Sequence, residues 1–240
     1  MKSKIVIGDV HGQFDALMQL LAQFPREFTT KDICYSGDLI DRGPDNKRTV
    51  EFVIHQAFDV CRGNHEDFMA IQDCGPFSMA SAWFYTQNGG GVTAAEYADD
   101  KETFKEHMNW MKGLPHYLEY KDVVNDKGQH LVVSHSSAAK TWRFRNEAGG
   151  NRRWFEHDVL WERDMNAKKI DGIYNIFGHT PQQYKPRIRE HWACIDGGGF
   201  VGWEPGYKKL YALQFPEMIL YEQEVKDNSH TERLKEAGIV

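Results

Sequence analysis

No apolar stretch in the chain approaches the roughly 20 residues of a membrane helix, so no helical membrane span is expected. Neither G-x-G-x-x-G nor a P-loop follows any apolar run, which argues against a nucleotide-phosphate cradle of those types. The four cysteines, Cys34, Cys61, Cys74 and Cys194, show no C-x-x-C spacing. Cys34 and Cys61 fall in apolar runs and read as reduced core residues, which fits a cytosolic compartment. Positive charge is not in excess. The formal net charge is −6, which argues against a general nucleic-acid binder but leaves room for a local basic patch. Met1-Lys2-Ser3-Lys4 runs straight into a strand-like segment, so no signal peptide is expected. Repeats and low-complexity linkers are absent.

What is present is enough chain for a sizeable core. The 240 residues are 41% hydrophobic, a normal globular value. Residues 4–9, 32–37 and 58–62 read as strands. Phe14, Leu17, Met18, Leu21 and Phe24 recur at helical spacing before Pro25, and a second helix runs from Asp45 or Asn46 to about residue 56. This is a βαβαβ unit and predicts a parallel sheet. Residues 66–114 read as a mostly helical, aromatic-rich insertion, interrupted at Gln87-Asn88-Gly89-Gly90-Gly91. From residue 116 the pattern is β-rich, with strands at 117–120, 130–134, 173–177, 192–195, 208–214 and 218–223. Asp126-Lys127-Gly128 reads as a hairpin turn. Residues 1–223 are therefore read as one domain, and 224–240 as a polar tail with a frayed helix.

The chain is organised around Ser36-Gly37-Asp38-Leu39-Ile40-Asp41-Arg42-Gly43-Pro44, which follows the apolar run Ile33-Cys34-Tyr35. Its charges sit at a strand exit, where open α/β sheets place ligand sites. Taken alone, an Asp-rich turn would explain it equally well. The same pattern recurs in Ile7-Gly8-Asp9-Val10-His11-Gly12 and in Cys61-Arg62-Gly63-Asn64-His65-Glu66. Glycine permits a sharp turn and close ligand approach. Asp, His and the Asn carbonyl suit manganese, iron or zinc ions. Two more strand exits end in histidine, at His135 and at Gly178-His179-Thr180. Asp9, His11, Asp38, Asn64, His135 and His179 are six oxygen and nitrogen ligands without a thiolate, the set a two-metal site needs.

These motifs resemble the phosphoprotein phosphatase branch of the calcineurin-like metallophosphoesterases, and most closely its small phage and bacterial serine/threonine phosphatases. Val159-Leu160-Trp161-Glu162-Arg163 and Asn88-Gly89-Gly90-Gly91 fit that subgroup as well. The resemblance spans about residues 4–215. It implies an α/β fold with two mixed β-sheets in a sandwich flanked by helices and a dimetal site at the strand ends. It implies Asp9, His11 and Asp38 on one ion, and Asp38, Asn64, His135 and His179 on the other. The ions would be divalent, manganese before iron or zinc. Arg42, Arg62 and Arg163 would bind phosphate. One departure stands out: His135 is followed by Ser136-Ser137-Ala138 where the family commonly has a small pair such as Ala-Gly, which leaves the loop shape open.

The chemistry follows from the residue types. A phosphomonoester is doubly negative, so cations must neutralise it before water can attack. Guanidinium groups match phosphate oxygens bidentately. His65, beside Asn64, is placed to protonate the leaving alkoxide, with Asp41 fixing its tautomer. The expected activity is metal-dependent hydrolysis of phosphoserine and phosphothreonine, with phosphotyrosine a further substrate. The alternatives are a hydrolase of dinucleoside polyphosphates or phosphodiesters, and a non-catalytic phosphopeptide-binding module. The expected partner is a phosphoprotein or phosphopeptide, with no membrane partner. Residues 140–154 interleave cations and aromatics near the mouth of the site. They suit an acidic peptide or a single strand of nucleic acid, but the preferred reading is an exposed loop whose tryptophans pack on the core.

Overall fold

In β1 (Lys4–Ile7), Ile5 and Ile7 point one way and Val6 the other. That period of two, with both faces apolar, is what a strand covered on both sides requires. The computed structural model, which describes residues 2–71, 86–200 and 205–226, bears this out with two five-stranded sheets. The first has the order β10-β9-β1-β2-β3, built from β2 (Ile33–Tyr35), β3 (Asp59–Val60), β9 (Lys209–Phe215) and β10 (Ile219–Glu224) around β1. Here β1, β2 and β3 run parallel, while β9 and β10 are antiparallel additions. The second has the order β4-β5-β6-β8-β7: β4 (Tyr117–Val124), β5 (His130–Ser134), β6 (Ile173–Phe177), β8 (Trp192–Cys194) and β7 (Arg187–Ile188). Its β5, β6 and β8 are parallel.

The sheets face each other across a core of Val6, Cys34, Leu131, Val133, Ile176 and Leu213. The outer face of the first sheet packs on α1 (Phe14–Leu21) and α2 (Asn46–Gln56) through Ile5, Ile7, Leu17, Leu20, Val50 and Val53. The outer face of the second packs on α6 (Gly149–Trp161) through Val132, Phe155, Val159 and Ile173. Helix, sheet, sheet, helix is the layering, and both sheets are mixed as expected.

The described part of 66–114 is helical. It comprises α3 (Asn64–Ile71), an irregular turn at Thr86–Gly90, α4 (Gly91–Glu96) and α5 (Lys101–Gly113). The aromatic run Trp83-Phe84-Tyr85, Cys74 and the tail beyond residue 226 lie outside the described residues. Three expectations need correction. α1 stops at Leu21, because Gln23 and Phe24 donate their N–H groups to carbonyls only three residues back and tighten the chain into turns. β7 was not expected; its two residues carry no periodicity. In the 140–154 segment Trp142 packs on the core, but Trp154 is 44% exposed on the face of α6 opposite Phe155 and Val159.

Candidate metal centre and active site

Parallel strands end on the same side of their sheet, so their exit loops meet. Asp9 and His11 follow β1, Asp38 follows β2 and Asn64 follows β3. His135 follows β5 and His179 follows β6. All six are buried. His135 Nε2 lies 2.7 Å from Asn64 Oδ1, 3.1 Å from His179 Nδ1 and 3.4 Å from Asp38 Oδ1. Asn64 Oδ1 is also 3.0 Å from His179 Nδ1. On the other side of Asp38, His11 Nε2 is 3.5 Å from Oδ2. Two groups of candidate ligands result, His11–Asp38–His65 and Asp38–His135–His179, each with its ligand atoms within 4.8 Å of one another. Asp38 belongs to both. Asp9 is in neither group; its carboxylate accepts the His179 N–H at 3.0 Å, tying two ligand loops together.

The charge state of this cluster fits a cation. Burial, reinforced by Arg42, lowers His11 well below the usual imidazole range. Burial also lowers His135, and burial with His135 and Arg163 brings His179 down to about 2. Burial thus disfavours the charged form of all three rings. His11 Nδ1–H and His135 Nδ1–H donate to the carbonyls of Ile40 and Ser36, at 2.8 and 2.9 Å. Each Nε2 therefore presents a lone pair to the cluster, as outer-shell carbonyls commonly arrange for metal ligands. Burial opposes the charge on Asp38, yet His135, His65, His11 and Arg42 outweigh it and hold the carboxyl well below its usual range. Burial, with Asp196 and Asp38, pushes Asp9 well above it. Converging lone pairs and crowded carboxylates are the donor set that divalent ions satisfy.

The backbone is shaped for this purpose. His11, Asp38, Asp41, Arg42 and His179 all have positive φ, at 48°, 53°, 73°, 70° and 66°. A Cβ on Gly178 would overlap Asp9 Oδ1, and one on Gly63 would overlap Asp38 Oδ1. Glycine is required at both positions because carboxylates occupy the side-chain space.

His65 Nδ1 lies 2.6 Å from Asp41 Oδ2. Its Nε2 is buried without a hydrogen-bond partner among the described residues, 3.9 Å from Asp38 Oδ2. Arg42 reaches the cluster, with Nη1 2.8 Å from His11 Nε2 and its guanidinium stacked 3.8 Å above the Phe200 ring. Arg163 donates to the His179 carbonyl at 3.1 Å and so stands at the opposite rim. Arg62 is held elsewhere: it pairs with Asp67 at 3.2 Å and donates to the Lys112 carbonyl.

Several residues escaped the sequence reading. Thr93 on α4, wholly buried, donates to Asp41 Oδ1 at 2.5 Å and accepts the Asp41 N–H at 3.1 Å. Glu66 accepts the N–H groups of Asp38, Leu39 and Gly63 at 2.7–2.8 Å, clamping the second and third exits together. Asp196 follows β8, a sixth strand exit. It is buried, its Oδ2 lacks a partner among the described residues, and burial, aided by Asp38, raises it to about 6. Its Ile195-Asp196-Gly197 reverses the Gly-Asp order of the other exits, so the signal used for them passes over it. Ser136 resolves the open loop after His135: its N–H bonds to the Val159 carbonyl, and its Oγ accepts the Glu162 N–H at 3.1 Å. The His135 loop is thereby fastened to the end of α6, next to Arg163.

The family model for calcineurin-like phosphoesterases matches residues 4–183. The chain belongs to that family. Serine/threonine-protein phosphatase 1 of Salmonella typhimurium is 31% identical over 181 residues, covering 73% of this chain and 77% of its own. Bis(5'-nucleosyl)-tetraphosphatase PrpE (asymmetrical) of Oceanobacillus iheyensis is 26% identical over 237 residues, 88% of each chain. Among solved structures, a serine/threonine phosphatase from Saccharomyces cerevisiae superposes with a TM-score of 0.60 at 15% identity, over 95% of this chain and 81% of that one. That likeness shows the fold. The calcineurin-like phosphoesterase is thus a phosphoesterase hydrolase, related to serine/threonine phosphatases and to dinucleoside tetraphosphatases alike.

Proposed function

We propose that this phosphoesterase hydrolyses phosphomonoesters of serine and threonine in proteins, in the cytosol, with a dinuclear metal centre. Asp9, His11 and Asp38 would hold one ion, and Asp38, Asn64, His135 and His179 the other; manganese suits this oxygen and nitrogen set. When bound, the ions supply charge neutralisation of the phosphoryl group and activation of a water. Arg42 and Arg163 grip phosphate oxygens from opposite rims. Arg62 would be a third phosphate contact only if released from Asp67, with which it pairs in the structure. His65 donates its Nε2 proton to the leaving oxygen, while Asp41 accepts from Nδ1–H and steadies the imidazolium form.

One observation carries this reading. The dyad of His65 and Asp41, at 2.6 Å, leaves Nε2 free beside the ligand cluster. A poor alkoxide leaving group needs such a proton donor, and a binding module does not. The coverage of 88% in both chains by the tetraphosphatase relative favours one second reading, hydrolysis of a dinucleoside tetraphosphate. Parallel assays in manganese on a phosphoseryl peptide, diadenosine tetraphosphate and a cyclic nucleotide test the choice. The peptide should be the best substrate by kcat/KM. A higher kcat/KM for diadenosine tetraphosphate would overturn the assignment.

A further inference from the structure

The solvent face of α6 carries a stripe of aromatic residues where charged residues are usual. Trp154, His157 and Trp161 fall at i, i+3 and i+7, which is one helix face. Trp154 and His157 are exposed and Trp161 is half-buried, while Phe155, Val159 and Leu160 take the core side. His157 and Trp161 are stacked, with ring centres 6.4 Å apart. Trp154 leans on Phe144 at 5.3 Å, and the Arg143 guanidinium lies 4.5 Å above that ring. Arg153 flanks the stripe. Arg143 and Arg153 are both exposed and have no carboxylate partner among the described residues. Lys140 and Arg152, their neighbours, are paired with Glu162 and Glu156.

This stripe is continuous with the metal centre. Trp161 stands edge-on to the ligand His179, with ring centres 6.1 Å apart, and Arg163 follows it by two residues. Seven residues of helix from Trp161 to Trp154 cover about 10 Å, the reach of roughly three residues of extended peptide. We propose that this face of α6 docks the segment flanking the phosphorylated residue, and that the preferred flank is acidic with an apolar or aromatic side chain. The inference rests on the phosphoprotein reading above. Unpaired guanidinium groups on a chain of formal net charge −6 supply the charge complementarity. Exposed tryptophan supplies area that binds with little loss of side-chain freedom. Two such arginines are few for a nucleic-acid groove, which neutralises a phosphate at every step.

The test uses three phosphoseryl peptides whose flanks carry glutamate, glutamine or lysine, with nitrophenyl phosphate as a substrate that has no flank. Relative to nitrophenyl phosphate, kcat/KM should be roughly tenfold higher for the glutamate peptide than for the lysine peptide. The difference should sit in KM and shrink as salt is added. The double variant Arg143→Glu, Arg153→Glu should erase the preference, and Trp154→Ala should weaken all three peptides together. Equal KM values for the three peptides, or a preference that survives the double variant, would overturn the docking inference alone. If none of the peptides is cleaved while diadenosine tetraphosphate is, the phosphoprotein reading falls and the docking inference with it. An oligothymidylate that competes at the stripe in place of the acidic peptide would also overturn it.

Discussion

The ligand cluster and the His65–Asp41 dyad lie side by side but are fastened differently. Asp9, His11, Asp38, Asn64, His135 and His179 hang from strand exits. They are steadied by main-chain groups of neighbouring exits, as when His135 donates to Ser36 and Asp9 accepts from His179. The loop that carries Asp41 and Arg42 is instead held by the helical insertion. Thr93 takes both the carboxylate and the N–H of Asp41. The Gly89 and Asn88 carbonyls accept from the main chain and side chain of Arg42. Glu96 accepts from Asn46 and Lys47 at the start of α2. The candidate-ligand geometry thus belongs to the sheets, while the positions of Asp41 and Arg42 depend on the insertion. Metal binding and turnover should therefore be separable by mutation.

The sharpest break is expected at Asp38, which serves both ligand groups. Asp38→Asn should bring metal content, read by elemental analysis, from two ions toward one or none, with turnover nearly abolished. Two ions and normal turnover in that variant would remove Asp38 from its shared position. Next comes His65→Asn, where metal should stay. Phosphoseryl peptide hydrolysis should fall by roughly 10²–10⁴-fold, the range for a lost general acid. Nitrophenyl phosphate should suffer distinctly less, because nitrophenolate leaves with little help. Equal losses on both substrates would contradict acid catalysis.

Thr93→Val keeps the shape and removes both hydrogen bonds to Asp41. It should show the same skew between substrates at about 10–100-fold, a typical outer-shell effect. Thr93→Ser should restore most of the rate. Loss of metal in the valine variant would mean that the insertion holds the ligands too, and the contrast between the two halves would fail. The smallest effect is reserved for Glu96→Gln, which should lower stability by about 1 kcal/mol, the usual scale for a helix cap. A thermal melt reads the shift, and metal content should not change.

The difference between the halves also explains what could be read from the sequence. Four strand exits announce a candidate ligand locally, as an apolar run, then glycine, then Asp, Asn or His, and a fifth runs from Val133 through Ser134 into His135. Those five exits assembled six candidate ligands without reference to distant residues. Thr93 has no such signature. It is 52 residues from Asp41, on a short helix beyond an irregular turn, and only the fold brings the two together. Ser136 is similar, because its partners at Val159 and Glu162 belong to a helix that joins the loop through packing. Arg62 shows the converse. Its place beside Asn64 suggested a phosphate contact, while the guanidinium lies against Asp67 and Lys112, a choice no local pattern specifies. Residues 140–154 read as an exposed loop whose tryptophans pack on the core, whereas Trp154 lies on a helix, and only the position of Phe155 and Val159 reveals which way it faces.

The five left-handed residues around the cluster set durability against reactivity. Each of His11, Asp38, Asp41, Arg42 and His179 sits at a φ that a side chain resists, at roughly 1 kcal/mol apiece. Glycine would relax every one of them and would delete a candidate metal ligand, the dyad carboxylate or the Arg42 guanidinium in doing so. Selection for a hardier fold and selection for a working centre therefore pull in opposite directions at these five positions. A laboratory search for heat resistance that ignores turnover should find its gains there and produce a sturdier, inert protein.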